Sequence, residues 1–275
     1  FSFVRSFILD SSWLLPIKLH IYVFLAMFAS ISICIVGRGV EVNAGMPDST
    51  RKKIKNLYQF FCDATLLTSG LFGKGIVKEQ VDYSEYLGTG YQSWEDYGTV
   101  VCNHSTPLDT TILGHLYNCK MVSKAGLKSV PIVGRAAELL ETIFVDWADP
   151  NSKQNTIDEI MKTQQDFLEG KSSKRLGIFP EGTTTNNKCL LPFKQGAFYG
   201  LSPVKPIVLK VTSKYISPTY DCVGFLELAL LLCFQLTVDL TVIELPVFTP
   251  NDFLWTWTDL GKDKPSIYAE AVRRV

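Results

Sequence analysis

Net charge is missing from this 275-residue sequence, in which 27 Lys and Arg residues balance 27 Asp and Glu. Without a global positive field no surface gathers nucleic acid at long range, so nucleic-acid binding is set aside. Metal-type cysteine pairs are missing as well. The seven cysteines (Cys34, Cys62, Cys102, Cys119, Cys189, Cys222, Cys233) are odd in number and show neither CxxC pairs nor zinc-ligand spacing. They read as small buried hydrophobes in a reducing compartment. There is no internal repeat and no low-complexity segment. No cluster of metal ligands stands out, and no cofactor is expected. Apolar residues, by contrast, are plentiful at 47%, against 20% charged, a balance that points to membrane association.

The apolar residues concentrate near the start. Ile21 to Val36 runs sixteen residues without a charge, covering roughly 24 Å as a helix against a hydrocarbon thickness of roughly 30 Å. A span with Lys18 snorkelling and a re-entrant helix are both compatible with it, and so is a buried helix of a soluble domain. No small-residue cleavage site follows, which argues against a signal peptide. Arg51-Lys52-Lys53-Ile54-Lys55 is the densest basic cluster. It suits either the cytosolic side of a span, in contact with anionic head groups, or an ordinary solvated helix start. Leu57 to Val77, apolar but broken by Asp63, Gly70, Gly73 and Lys74, reads as an interfacial helix pair. Residues 1–80 are thus expected to form a membrane-anchoring region. The chain opens on Phe1 and stops at Val275 within a helical-looking stretch, so further residues are expected beyond both ends.

From about Thr99 short β-rich runs alternate with helical stretches. Strands are expected at Thr99 to Cys102, Lys120 to Ser123, Ile143 to Asp146, Leu176 to Phe179, Lys205 to Thr212 and Leu240 to Leu245. Helices are expected near Thr106 to Tyr117, Val133 to Glu141 and Ser152 to Glu169. Such alternation implies an α/β domain over residues 81–275, with a mainly parallel central sheet flanked by helices. Val223 to Leu236, interrupted by Glu227, is too short to span a bilayer and reads as a buried or membrane-facing helix.

Two runs carry chemistry. In Asn103-His104-Ser105-Thr106-Pro107-Leu108-Asp109, His104 directly follows an expected strand, and ligands of open α/β sheets bind at the carboxyl ends of strands. Asp109 returns to the imidazole if Pro107 starts a helix, because the chain then needs about one turn. A carboxylate on one ring nitrogen fixes the tautomer and leaves the other nitrogen to take a hydroxyl proton. The same spacing also suits an Asp109 that serves the helix N-terminus while His104 satisfies a turn. His20 and His115 have no such partner and read as an interfacial and a helix-surface residue. In the second run, Phe179-Pro180-Glu181-Gly182-Thr183, proline ends a strand and Glu181 falls at the sheet edge. Gly182 there lets backbone approach a bound group. The polar loop Thr183 to Lys188 can hold a phosphate or be merely solvated. Lys194, confined in Pro192-Phe193-Lys194-Gln195-Gly196, is the better phosphate candidate.

Taken together, His104 and Asp109 followed about seventy residues later by Phe179 to Thr183 resemble the glycerolipid acyltransferase superfamily, typified by 1-acylglycerol-3-phosphate acyltransferases. The continuation to Phe198, together with Pro203 to Val208, Glu244 to Val247 and Ala271 to Val275, is similar within it to lysophosphatidylcholine acyltransferases. The likeness covers roughly residue 95 to the end, with a looser match before it. The resemblance implies a membrane-bound enzyme that esterifies a lysophospholipid with acyl-CoA as substrate. His104 would be general base and Asp109 its partner. Glu181 and Gly182 would help bind the acceptor's phosphate-bearing head group or shape the site, with Thr183 alongside. It implies an endoplasmic reticulum membrane, or alternatively the mitochondrial inner membrane. Glycerol-3-phosphate or lysophosphatidate acyl transfer is the alternative within the class. A weakly active or inactive subunit with partner chains in a membrane complex is the alternative outside it. This chain departs from the family at Trp147, where the second motif carries an arginine thought to bind acceptor phosphate. Arg135, Lys153 and Lys194 are the cations left to compensate.

Overall fold

The computed structural model describes residues 14–42, 45–146, 148–213, 217–219, 224–235 and 237–275. The described part begins with two long helices, α1 (Leu14–Val36) and α2 (Asp48–Thr68), followed by strand β1 (Leu71–Lys78) and the one-turn helix α3 (Ser84–Leu87). The alternating part then runs β2 (Thr99–Cys102), α4 (Asp109–Tyr117), β3 (Lys120–Lys124), α5 (Val133–Leu139), β4 (Ile143–Val145), α6 (Pro150–Leu168) and β5 (Leu176–Ile178). It closes with β6 (Val204–Thr212), α7 (Phe225–Phe234), β7 (Val238–Glu244) and α8 (Lys264–Arg274).

All seven strands form one sheet in the order β1-β7-β6-β2-β5-β3-β4. Every neighbouring pair is parallel except β6 with β7. The expected α/β class is therefore the observed one, and each expected strand has its counterpart. β1 is a correction. Leu57 to Val77 is not a helix pair: α2 ends at Thr68, and Leu71–Lys78 pairs with β7 at the sheet edge. The sheet consequently starts before residue 80, and a boundary there would cut off its first strand. Gly73, Lys74 and Gly75 read as a break because they lack apolar side chains, yet the register shift between Gly73 and Gly75 is a bulge that an edge strand tolerates.

Both faces of the sheet are covered, which is why β2 is buried at every position. Val101 faces a core shared with Tyr83, Ile160, Leu176, Phe198, Phe248 and Tyr268. Val100 and Cys102 face the opposite core, with Ile112 and Leu113 of α4 and Leu209, Leu240 and Val242. Each fully buried Leu or Ile side chain in these layers stabilises the fold by about 1.5–3 kcal/mol. Helix α6 starts on Asp149, whose carboxylate accepts from Asn151 N, with Pro150 in the first turn.

The α1–α2 hairpin is packed onto the sheet domain through Ile33, Met46, Ile54, Ala136 and Leu139. Gly114 of α4 makes the approach of α2 possible, since a Cβ there would collide with the Tyr58 ring. The 23 residues of α1 span about 35 Å, longer than the uncharged run because Lys18 and its neighbours are helical too. Val23, Phe24, Phe28 and Ile35 of α1 are exposed, as are Phe60 and Leu67 of α2. Among the described residues α1 is the one helix long and apolar enough to cross a membrane.

Candidate active site

Strand order brings the two motif runs together. β2 and β5 are parallel neighbours, with Val101 opposite Ile178, so His104 and Glu181 each lie three residues beyond a paired position. From β2 the chain leaves for α4 on one face. From β5 it leaves through a loop to Ala197 and Phe198 in the core of the other face. Adjacent strands whose connections part in this way open a crevice at their carboxyl ends.

Asp109 opens α4, three residues later than the helix expected from Thr106. A turn intervenes, in which Leu108 N donates to Thr106 Oγ1 at 3.0 Å. That turn folds the carboxylate back on the motif. Asp109 is fully buried, and its Oδ2 accepts from Ser105 N at 2.6 Å and Thr106 N at 2.9 Å. His104 Nδ1 lies 2.8 Å from the same oxygen. A carboxylate oxygen accepts, so Nδ1 carries the proton and Nε2 is left with its lone pair. The ring is one-fifth exposed, and Nε2 has no hydrogen-bond partner among the described residues. Asp109 thus bonds the turn before α4 and the imidazole, while among the described residues no side chain caps the N-terminus of α4.

Glu181 is not presented to solvent. It is buried, its Oε1 accepts from His104 N and its Oε2 from Leu191 N, each at 3.0 Å. The carboxylate therefore ties the His104 backbone to the loop before Lys194. A second tie runs from Thr185 N to His104 O at 2.8 Å. Gly182 and Thr183 are exposed beside it, and Gly182 adopts φ +68°, a left-handed conformation that favours glycine. Lys194 is also exposed. Its side chain lies over Gly182, where an added Cβ would come within 2.5 Å of Nζ. Trp147 lies outside the described residues. Arg135 is engaged with Glu138 and the Val40 carbonyl, and Lys153 lies on α6.

Two contributors escaped the sequence reading. The Phe179 ring stacks on the imidazole with centroids 4.1 Å apart. Asn103 exchanges hydrogen bonds with the Leu209 backbone, accepting from its N at 2.7 Å and donating to its O at 3.0 Å, and also donates to Asn187 Oδ1 at 2.7 Å. A polar Asn closing an apolar strand was the available signal. Neither nearby nucleophile is poised for covalent catalysis. Burial, with Asp109 adding to it, pushes the Cys102 thiol well above its ordinary pKa, and the Ser105 hydroxyl is buried. What the arrangement can do is accept a proton at Nε2 from a hydroxyl entering the crevice.

Residues 87–210 match the Acyltransferase family model. Human lysophosphatidylcholine acyltransferase 2 is 35% identical over 157 residues, 56% of this chain and 27% of that protein. Drosophila melanogaster lysophosphatidylcholine acyltransferase is 34% identical over 178 residues, 64% and 32% respectively. Arabidopsis thaliana lysophospholipid acyltransferase LPEAT1 is 34% identical over 185 residues, 65% and 43%. The chain thus spans less than half the length of these curated relatives. In fold it is similar to the crystal structure of the 1-acyl-sn-glycerophosphate acyltransferase PlsC from Thermotoga maritima, with a TM-score of 0.59 over 97% of this chain and 94% of that one at 16% identity.

Proposed function

We propose that this chain is a member of the glycerolipid acyltransferase superfamily and that it esterifies a lysophospholipid, of the lysophosphatidylcholine type, with the acyl group of acyl-CoA at a membrane surface. The observation that carries the reading is the His104 imidazole, bonded at Nδ1 to buried Asp109 and, among the described residues, unbonded at Nε2.

In this reaction Nε2 takes the proton of the lysophospholipid hydroxyl as its oxygen attacks the thioester carbonyl carbon. Asp109 stabilises the imidazolium that forms. Collapse of the tetrahedral intermediate breaks the carbon–sulfur bond, and the imidazolium returns its proton to the leaving sulfur. The products are a diacyl phospholipid and free coenzyme A. The buried Cys102 and Ser105 support direct attack over an acyl-enzyme. Glu181 acts as a positioning residue, since both its oxygens are occupied by backbone N–H groups. Gly182, Thr183 and Lys194 face the acceptor's phosphate. The exposed apolar faces of α1 and α2 keep the crevice near a bilayer, where both amphiphilic substrates reside.

The test is thiol release from acyl-CoA in the presence of a panel of acceptors. Release that requires a lysophospholipid and yields its diacyl product supports the reading. Equal release with and without every acceptor overturns it.

A further inference from the structure

A second charged centre lies at the other edge of the sheet, where strands begin. Lys120 opens β3, Glu141 stands two residues before β4 and Lys174 two before β5, so the length of β5 separates Lys174 from Phe179 and the His104 crevice. Three cations converge on the one carboxylate. Arg51 Nε of α2 is 3.2 Å from Glu141 Oε1, while Lys174 Nζ is 3.3 Å and Lys120 Nζ 3.8 Å from Oε2. Lys174 is buried and also donates to Leu140 O at 3.0 Å. Arg51 reaches outward to fully exposed Asp48 at 2.7 Å. Burial pulls the pKa of Lys174 down, Glu141 opposes that, and Lys120 and Arg51 reinforce it. Positive charge is in excess here.

Beside this centre is a cavity of about 30 Å³ whose polar lining is Lys55, Tyr58, Asn118, Thr142 and Lys174. No carboxylate lines it. Its volume matches the space of about one water molecule, enough for one oxygen of a tetrahedral anion. Through Thr142 it adjoins a cleft of about 800 Å³ lined by four cations, Lys120 among them, and five carboxylates, Glu141 among them. Around the small pocket itself, Arg51, Lys55, Lys120 and Lys174 stand against Glu141 and Asp48, a surplus of two positive charges that the cleft beyond does not share.

We propose that this pocket is a second phosphate-binding site, separate from the acyl-transfer crevice, in which Lys55 and Lys174 supply charge and Asn118 and Thr142 supply hydrogen bonds. Arg51 and Lys55 sit on α2, which farther along exposes Phe60 and Leu67, so a phosphate carried on a lipid head group reaches the pocket from the bilayer surface. Occupation ties α2 to the sheet edge and stabilises the folded state by mass action. The inference does not depend on acyl transfer.

Thermal unfolding of the full chain in detergent, in inorganic phosphate against sodium chloride of matched ionic strength, tests it. The wild type should gain several degrees specific to phosphate. Lys55→Gln and Thr142→Val should each need roughly tenfold more phosphate for the same gain. Lys55→Gln should keep its acyl-transfer rate in phosphate-free buffer, so loss of the site is distinguishable from loss of catalysis. A gain equal in chloride, or one unchanged in both pocket variants, overturns the proposal. Flotation with phosphatidylcholine vesicles, with and without phosphatidic acid, assigns the source. Retention that phosphatidic acid raises in the wild type and not in Lys55→Gln identifies the head group. Equal retention of the two proteins, beside the phosphate-specific gain, identifies a soluble phosphate compound.

Discussion

The imidazole of His104 lies flat against the phenyl ring of Phe179, with centroids 4.1 Å apart and planes 14° from parallel. Hydrogen bonding at Nδ1 fixes one edge of the base, and the stacked ring fixes its plane. Truncation by Phe179→Ala frees the plane while leaving the acceptor loop alone. The expected result is a fall in kcat of about tenfold with KM little changed, since small misplacements of a reacting group are costly. Steady-state kinetics of acyl transfer checks this, and Phe179→Tyr should recover most of the loss.

Glu181 joins two loops through two backbone donors, at His104 and Leu191. In Glu181→Ala both donors lose their partner, at about 1–3 kcal/mol for each that stays buried. Urea denaturation should therefore show a stability loss of roughly 2–6 kcal/mol, accompanied by a fall in kcat. A residue serving only to bind acceptor would instead raise KM at unchanged stability.

Gly182 has φ +68°, and the Lys194 side chain occupies the space a Cβ would need. Gly182→Ala pays about 1–2 kcal/mol of backbone strain and pushes Lys194 aside. The expected kinetic consequence is a KM for the lysophospholipid raised by about tenfold, equivalent to about 1.4 kcal/mol of lost binding. Lys194→Ala should raise KM in the same direction, and initial rates over a range of acceptor concentrations measure both.

Burial raises the pKa of Glu141, but Lys174, Lys120 and Arg51 together outweigh it and hold the carboxyl below its ordinary value. A carboxyl whose folded pKa is depressed contributes stability above its unfolded pKa of about 4.3, and that stability is lost as pH falls through the folded value. Between the two the unfolded chain binds more protons, so stability rises with pH. Glu141→Gln should flatten this acid limb. Urea midpoints measured from pH 6 downward in both proteins check the change of slope.

Much of this arrangement is legible in the sequence because it is local. β2, β5 and β6 announce themselves as apolar, β-branched runs, and His104 with Asp109 are close enough to meet within one turn. β1 was illegible because Gly73, Lys74 and Gly75 erase the alternation that marks a strand, and only pairing with the distant β7 makes it one. The role of Glu181 was hidden for a related reason. A carboxylate beside a glycine after a strand looks like a ligand group until the β2–β5 register brings the His104 N–H to it. The stacking of Phe179 on His104 likewise depends on β5 lying next to β2, whereas in sequence β3 and β4 come between them.

The central claim is that His104 Nε2 removes the acceptor's proton. Its most direct measurement is the rate of coenzyme A release at saturating acyl-CoA and lysophosphatidylcholine for the wild type and His104→Ala, with circular dichroism confirming the same fold. The account predicts a kcat lowered by on the order of 10²-fold or more. A His104→Ala protein that is folded and turns over at the wild-type rate contradicts it.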